Sequence, residues 1–296
     1  MRRRRGGPPG RARVALRLAV LFGLVVGFGL SCQVRRAEPP PRPPTPVVKA
    51  PGATPRAASS PAPSPRHRAT PVPAAEAGPR VAIIFDDAGG SLEDVEEIIA
   101  IGRPVTVAVL PGLAYSSEVA RRAAAAGLEV LLHLPLEAYA DNDKLGPGAV
   151  RVAMSDEEIK STVRAGLASV PEAIGVNNHM GSRGTADPRV MRAVLEVVRE
   201  RRLMFVDSRT TKDTVAESLA AEMGVPAARR HVFLDNTDDE EAIRREVQRL
   251  ISLARAQGEA IAIGHAQRLT PRVVAQMREE FDRQGVRFVP LSTLVR

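Results

Sequence analysis

From residue 80 to residue 296, eight short apolar runs rich in β-branched residues alternate with longer amphipathic stretches. The runs are VAIIF (81–85), VTVAVL (105–110), LEVLLHL (128–134), IGVNN (174–178), LMFVD (203–207), HVFLD (231–235), AIAIG (260–264) and VRFVP (286–290). Between most of them lie Ala-, Glu- and Arg-rich segments with helical spacing, such as SLEDVEEIIAIG and DPRVMRAVLEVVRERR. Runs that are apolar on both faces belong to parallel strands covered by helices. Seven or eight such repeats in this length predict an α/β fold, a distorted (β/α) barrel. A doubly wound open sheet has the same periodicity and stays open as the alternative.

The segment before this pattern is of another kind. Residues 1–32 begin with Arg2 to Arg5 and continue into the apolar run LAVLFGLVVGFGL, Leu18 to Leu30. A positive start followed by a thirteen-residue apolar run has the form of a signal peptide. A retained membrane anchor, with Arg17 snorkelling to the headgroups, is the other form it can take. Residues 33–79 hold fourteen of the chain's 25 prolines, which fix φ and remove donors. This linker is expected to be extended and disordered, with the folded domain confined to 80–296. The expected location is therefore outside the cytoplasm, in the periplasm or cell envelope, with anchoring to the inner membrane left open.

Charge divides the same way. Residues 1–80 hold 15 Lys and Arg against 2 Asp and Glu, and residues 81–296 hold 27 against 32. The basic character belongs to the leader and linker, and the remainder is mildly acidic. With aromatics at 3% and no tryptophan, nothing favours a nucleic-acid partner. One cysteine excludes a disulfide scaffold and a cysteine-clustered zinc site.

Polar residues gather where the predicted strands end. VAIIF runs into Asp86 and Asp87, LEVLL into His133, IGVNN into His179, and LMFV into Asp207, Ser208 and Arg209. HVFL runs into Asp235 and Asn236, and AIAIG into His265. In βα architectures the carboxyl ends of the strands share the face where sites are built. His231 opens its run and belongs on the opposite face; His67 lies in the linker. Each residue alone has a plainer use, an Asp as a helix cap or turn residue, a His as a packed side chain. Together they suit another chemistry. Two imidazoles and a carboxylate make a metal site with open positions, and a free carboxylate and a further His beside it can act as base and acid.

In order along the chain, IIFDDAGG, VTVAVLPG, LLHLPLE, GVNNHMGSR, FVDSRT, VFLDN and AIAIGH resemble the divergent polysaccharide deacetylases, an envelope-associated branch of a larger deacetylase superfamily. The resemblance covers essentially all of 80–296. It implies a distorted (β/α) barrel, a divalent metal that is usually zinc, and hydrolysis of N- or O-acetyl groups on an acetylated polysaccharide. Carried over from the superfamily, Asp86 is the base, Asp87 a metal ligand and His265 the acid. The second motif departs from the superfamily, because the His-x-x-x-His pair is here His133 followed by Glu137. The missing imidazole is replaced either by His179, the preferred reading, or by Glu137. The Arg-x-Pro-Tyr motif is absent; GVNNHMGSR stands near its place, with Asn177, Asn178 and Arg183 as substrate or supporting contacts. Asp207 and Arg209 are further candidate substrate contacts. A catalytically silent barrel that binds glycan or an envelope protein is the competing reading, and another metal hydrolase on the same barrel is a third.

Overall fold

The protein is described by a computed structural model covering residues 78–267 and 269–296. The expected leader, nearly all of the expected linker and His67 lie outside the described residues. Among the described residues, no helix is long and apolar enough to cross a membrane.

Nine strands form one parallel sheet: β1 (Arg80–Ala88), β2 (Thr106–Val109), β3 (Glu129–Leu136), β4 (Gly175–Met180), β5 (Met204–Asp207), β6 (Ala227–Arg229), β7 (Val232–Phe233), β8 (Glu259–His265) and β9 (Arg287–Phe288). Eight of them run in the order β6-β5-β4-β3-β2-β1-β8-β7, and β9 pairs with the start of β1. The strands at the two ends of this path are neighbours in sequence. Arg230 N–H donates to the Asp207 carbonyl at one edge, and His231 N–H donates to the Ile261 carbonyl at the other. The segment 227–233 thus pairs first with β5 and then with β8, and the chain itself closes a distorted (β/α) barrel. The alternative of a doubly wound open sheet does not fit this closure.

The principal covering helices are α1 (Leu92–Ile99), α2 (Ser116–Ala125), α3 (Asp156–Ser169), α4 (Pro188–Glu200), α5 (Ala216–Met223) and α6 (Glu240–Gln257). Their starts are written locally. Ser155 and Glu158 form a capping box on α3, and Asp187 caps α4 ahead of Pro188.

Strand alternation splits the core in two. Val81, Ile83 and Phe85 face outward against the helices. Ala82 and Ile84 face inward and pack with Leu131, Met204, Val206, Ile261 and Ile263. Leu291 and Leu294 join this inner cluster. Gly175 leaves it room, because a Cβ there would come within 2.5 Å of Met204 Cγ and 2.9 Å of Leu131 Cδ2. The interior is a packed plug, so polar groups are confined to its two ends.

Candidate metal centre and active site

Continuing each inward line by two residues past the plug reaches the site. On β1, Ala82 and Ile84 lead to Asp86; on β3, Leu131 leads to His133; on β8, Ile261 and Ile263 lead to His265. On β4, Gly175 leads to Asn177 and then His179. Register makes Asp86 the direct neighbour of His265, and His133 the neighbour of Asn177. The polar residues therefore meet because period-two alternation points them all into the same barrel mouth.

Asp87 breaks that alternation. From Phe85 to Ala88 β1 advances three residues while β2 advances two, from Val107 to Val109. The extra residue is a bulge, and Asp87 takes a left-handed backbone with φ of 62°. Two adjacent carboxylates thereby reach one site, which an unbroken strand forbids. Met180 and Arg209, just past the inward lines of β4 and β5, also have positive φ, 52° and 51°. Backbone strain of this kind gathers where a site over-determines the chain.

Asp87, His133 and His179 converge, with one donor atom from each lying within 4.8 Å of the others. Asp87 Oδ1 stands 3.1 Å from His133 Nε2 and 2.8 Å from His179 Nδ1. Oδ1 is buried, yet neither approach has hydrogen-bond geometry. An acceptor left without a bond, with two ring nitrogens beside it, fits a cation drawn to all three. Electrostatics agrees. Burial opposes charge on His133, but the Asp86 and Asp87 carboxylates outweigh it and raise its pKa to about 9. Burial likewise opposes charge on Asp87, but His133 and His179 hold its carboxyl well below the usual range. This pocket favours positive charge.

Asn177 is fully buried and joins two of these groups. Its Oδ1 lies 2.9 Å from His133 Nδ1, and its Nδ2 donates to Asp86 Oδ1 at 2.7 Å. An amide oxygen can only accept, so His133 carries a proton on Nδ1, which leaves Nε2 as the nitrogen that would exchange its proton for a cation. Burial raises the Asp86 pKa and Asp87 adds to the rise, against the opposing pull of His133 and Asn177.

His265 is oriented from behind. Its Nδ1 lies 3.0 Å from Asp235 Oδ1, and its own backbone N–H donates to Asp235 Oδ2 at 2.8 Å. Thr270 Oγ1 donates to the same Oδ2. His265 Nε2 is thus turned toward the site, 3.8 Å from Asp87 Oδ2. Burial opposes charge on His265, but Asp235 prevails and its pKa is raised.

A cavity of about 360 Å³ opens over this centre. Asp86, His133, His179 and His265 line it, as do Asn178 and Arg209. Asn178 also ties two loops together, donating to the Met180 carbonyl and accepting from Ser208 N–H. Arg183 and Asp207, expected as substrate contacts, are not among the residues that line the cavity. Asp207 follows the inward-facing Val206, so it points away and instead accepts from Arg209 N–H and Thr214 Oγ1. Arg183 pairs with Glu137 Oε1 at 2.6 Å. The other Glu137 oxygen accepts from Val152 N–H, so Glu137 is committed elsewhere, and it is His179 that converges with Asp87 and His133.

Asp235, as the partner of His265, and Arg230, in the cavity wall, went unassigned from sequence. Asp235 carried a signal, lying two residues past the inward-leaning Phe233. Arg230 carried none, because it sits on the two-residue seam between β6 and β7.

The fold and the site define a (β/α) barrel with one aspartate and two histidines, drawn from separate strands, at its carboxyl face. The chain belongs to the divergent polysaccharide deacetylase family, whose family model matches residues 83–295. It is 38% identical over 198 residues to the uncharacterized protein YibQ of Escherichia coli, covering 67% of this chain and 62% of that protein. It is 36% identical over 186 residues to an uncharacterized protein of Haemophilus influenzae, covering 63% of this chain and 66% of the other. The matched stretch thus spans a little under two thirds of either relative. In structure it resembles an uncharacterized protein from Agrobacterium tumefaciens, with a TM-score of 0.71 at 24% identity over 75% of this chain and 91% of the other. It also resembles the catalytic domain of a peptidoglycan N-acetylglucosamine deacetylase from Eubacterium rectale, with a TM-score of 0.50 at 15% identity over 74% and 91%. Both likenesses are of fold.

Proposed function

We propose that the domain removes N- or O-linked acetyl groups from an envelope or extracellular polysaccharide, using a divalent cation, zinc by preference, held by Asp87, His133 and His179. The observation that carries this reading is the orphaned Asp87 Oδ1 beside two ring nitrogens, with Asp86 and His265 adjoining the same group. Membership of the deacetylase family supports an acetylated polysaccharide as the substrate class. The leader's composition supports export to the periplasm or envelope, where such a polymer is found.

A divalent cation in this position supplies Lewis acidity, polarising the acetyl carbonyl and acidifying water. The remaining work falls to side chains. Asp86 accepts a proton from the attacking water through Oδ2, while Asn177 holds Oδ1. Its pKa, raised by burial, makes it a better base than a solvated aspartate. His265, held by Asp235, has its pKa raised and turns Nε2 toward the site, where its protonated form donates to the leaving nitrogen or oxygen. Asp235 accepts three hydrogen bonds and stays ionised, its pKa lowered despite burial mainly by His265.

The test is metal analysis of the purified protein, followed by acetate release from acetylated glycans. One equivalent of zinc or another divalent ion, with acetate released and chelator abolishing release, is the expected result. Stoichiometric metal with no release from any glycan would favour a silent glycan-binding barrel instead.

A further inference from the structure

Two arginines, Arg209 and Arg230, are among the residues that line the cavity beside the Asp/His group. Among the described residues, neither comes within ion-pair distance of a carboxylate. Elsewhere on the domain arginines are mostly paired, as Arg183 is with Glu137 and Arg229 with Glu217. Arg230 is half-buried and firmly held. Its Nε–H donates to the Ser208 carbonyl at 2.7 Å and its Nη2 to the Arg209 carbonyl at 2.9 Å. Its guanidinium carbon stands 4.8 Å from the centre of the Phe233 ring. These contacts use two of five N–H donors and neutralise no charge. A guanidinium fixed by carbonyls and a ring has already lost its rotational freedom, so an anion meeting its remaining donors gains most of the bond.

Arg209 is placed by its backbone. It sits at φ 51°, held there by Asp207 accepting its N–H and by Arg230 donating to its carbonyl. Those two hydrogen bonds hold Arg209 in a left-handed conformation at the cavity wall, a strained backbone of the kind kept at functional sites.

Phe233 also fixes which side of the site this is. The same ring stands edge-on to His265, with centroids 5.4 Å apart. His265 is the group that faces the leaving atom, which belongs to the sugar and not to the acetyl. Arg230, stacked on that same ring, therefore stands on the His265 side of the site, which is the sugar side.

We propose that Arg209 and Arg230 form an anion subsite for a carboxylate on the sugar side of the substrate, so that the preferred glycan is an acidic one. This rests on the deacetylase reading and adds a substrate class to it. A planar carboxylate matches the guanidinium fork, and in a half-buried cavity such a charge-assisted pair outweighs a surface ion pair.

The probe is an acetylated oligosaccharide containing uronic acid, compared with its carboxyl methyl ester, on the full chain. The parent is expected to favour the acid over the ester by about tenfold or more in kcat/KM, mostly through KM, as expected for a charge-assisted bond. In Arg209→Gln the preference falls toward one, and in Arg209→Glu it inverts. Equal rates on acid and ester in the parent, or a preference unchanged in both variants, overturns the subsite. If the parent releases acetate from nothing, the deacetylase reading fails separately. Calorimetric binding of the same oligosaccharide without its acetyl groups then decides the subsite. Binding of the acid about tenfold tighter than its ester sustains it, and equal binding overturns it.

Discussion

The two ends of the barrel carry similar residues and treat them differently. At the amino end, Glu217, Arg229, His231, Glu259 and Arg296 surround a hollow of about 210 Å³. There each of these carboxylates and guanidinium groups has an ion-pair partner. Glu259 meets both Arg80 and Arg296 at 2.7 Å, and Arg229 meets Glu217 at 3.2 Å. His231 spends Nδ1 on the Ile261 N–H, and burial lowers its pKa. At the carboxyl end, Asp87 Oδ1 has no hydrogen bond, His133 is raised to about 9, and two arginines lack carboxylate partners. Density of charge does not distinguish the ends. What distinguishes them is that one has settled its charges internally and the other has left them for something to arrive. Strand direction explains the asymmetry, since the long loops after each strand open only at the carboxyl end.

The comparison breaks first, if it breaks at all, at the three converging residues proposed as metal ligands. Asp87→Ala, His133→Ala and His179→Ala should each empty the metal site and abolish acetate release, because a three-ligand site has none to spare. Metal content by plasma emission reads this directly. Glu137→Gln should keep the metal; a site emptied by that change and filled in His179→Ala would reverse the ligand assignment.

Next in size is the proposed acid–base pair. Asp86→Asn and His265→Ala should retain metal and fold while slowing turnover by ~10²–10⁴-fold. Full turnover in either variant would remove the mechanism and leave the carboxyl end a binding surface. Asp235→Asn tests the same histidine through pH. Asp235 is what raises the His265 pKa against burial. With that carboxylate neutral, His265 loses its proton at lower pH, and the alkaline limb of the rate profile should move down in pH. An unmoved limb would show that another group sets it.

Asn177 sharpens the contrast, since its single amide meets both His133, the proposed ligand, and Asp86, the proposed base. Asn177→Ala should weaken metal affinity by ~10–100-fold, the usual worth of an outer hydrogen bond to a ligating histidine. A competitive chelator titration gives the number. Unchanged affinity would mean that packing alone sets the His133 ring.

Much of this was legible in the chain because alternation and parallel pairing are local rules. Ala82, Ile84 and Asp86 follow from period two, as do Ile261, Ile263 and His265, and the barrel follows from repeating that unit. Asp87 needed more, since a bulge beside Gly89 and Gly90 leaves no certain mark in sequence. Asp207 shows the rule neglected: it stands at a strand end but one position out of phase with Val206, so it serves the loop and not the cavity. Strand β6 and the seam at Arg230 were unreadable, because Ala227–Arg229 has no β-branched residue and is a strand only through its partner β5. Arg183 and Glu137 looked functional separately, and only their spatial meeting shows that they satisfy each other.

The smallest effects belong to the amino end. Glu217→Gln removes one member of a half-exposed ion pair with Arg229 and should change stability by no more than about 0.5 kcal/mol. His231→Ala is somewhat costlier, because the Ile261 N–H loses its acceptor within the β8 edge, and an unsatisfied buried donor costs about 1–3 kcal/mol. A lower melting temperature is therefore expected for His231→Ala and almost none for Glu217→Gln. Both should keep full metal content and unchanged acetate release, since the packed layer of Ile84, Leu131, Val206 and Ile263 lies between this end and the site. Loss of metal or turnover in His231→Ala at a temperature where it stays folded would mean that the plug transmits what happens beneath it. The two ends could then no longer be treated as independent.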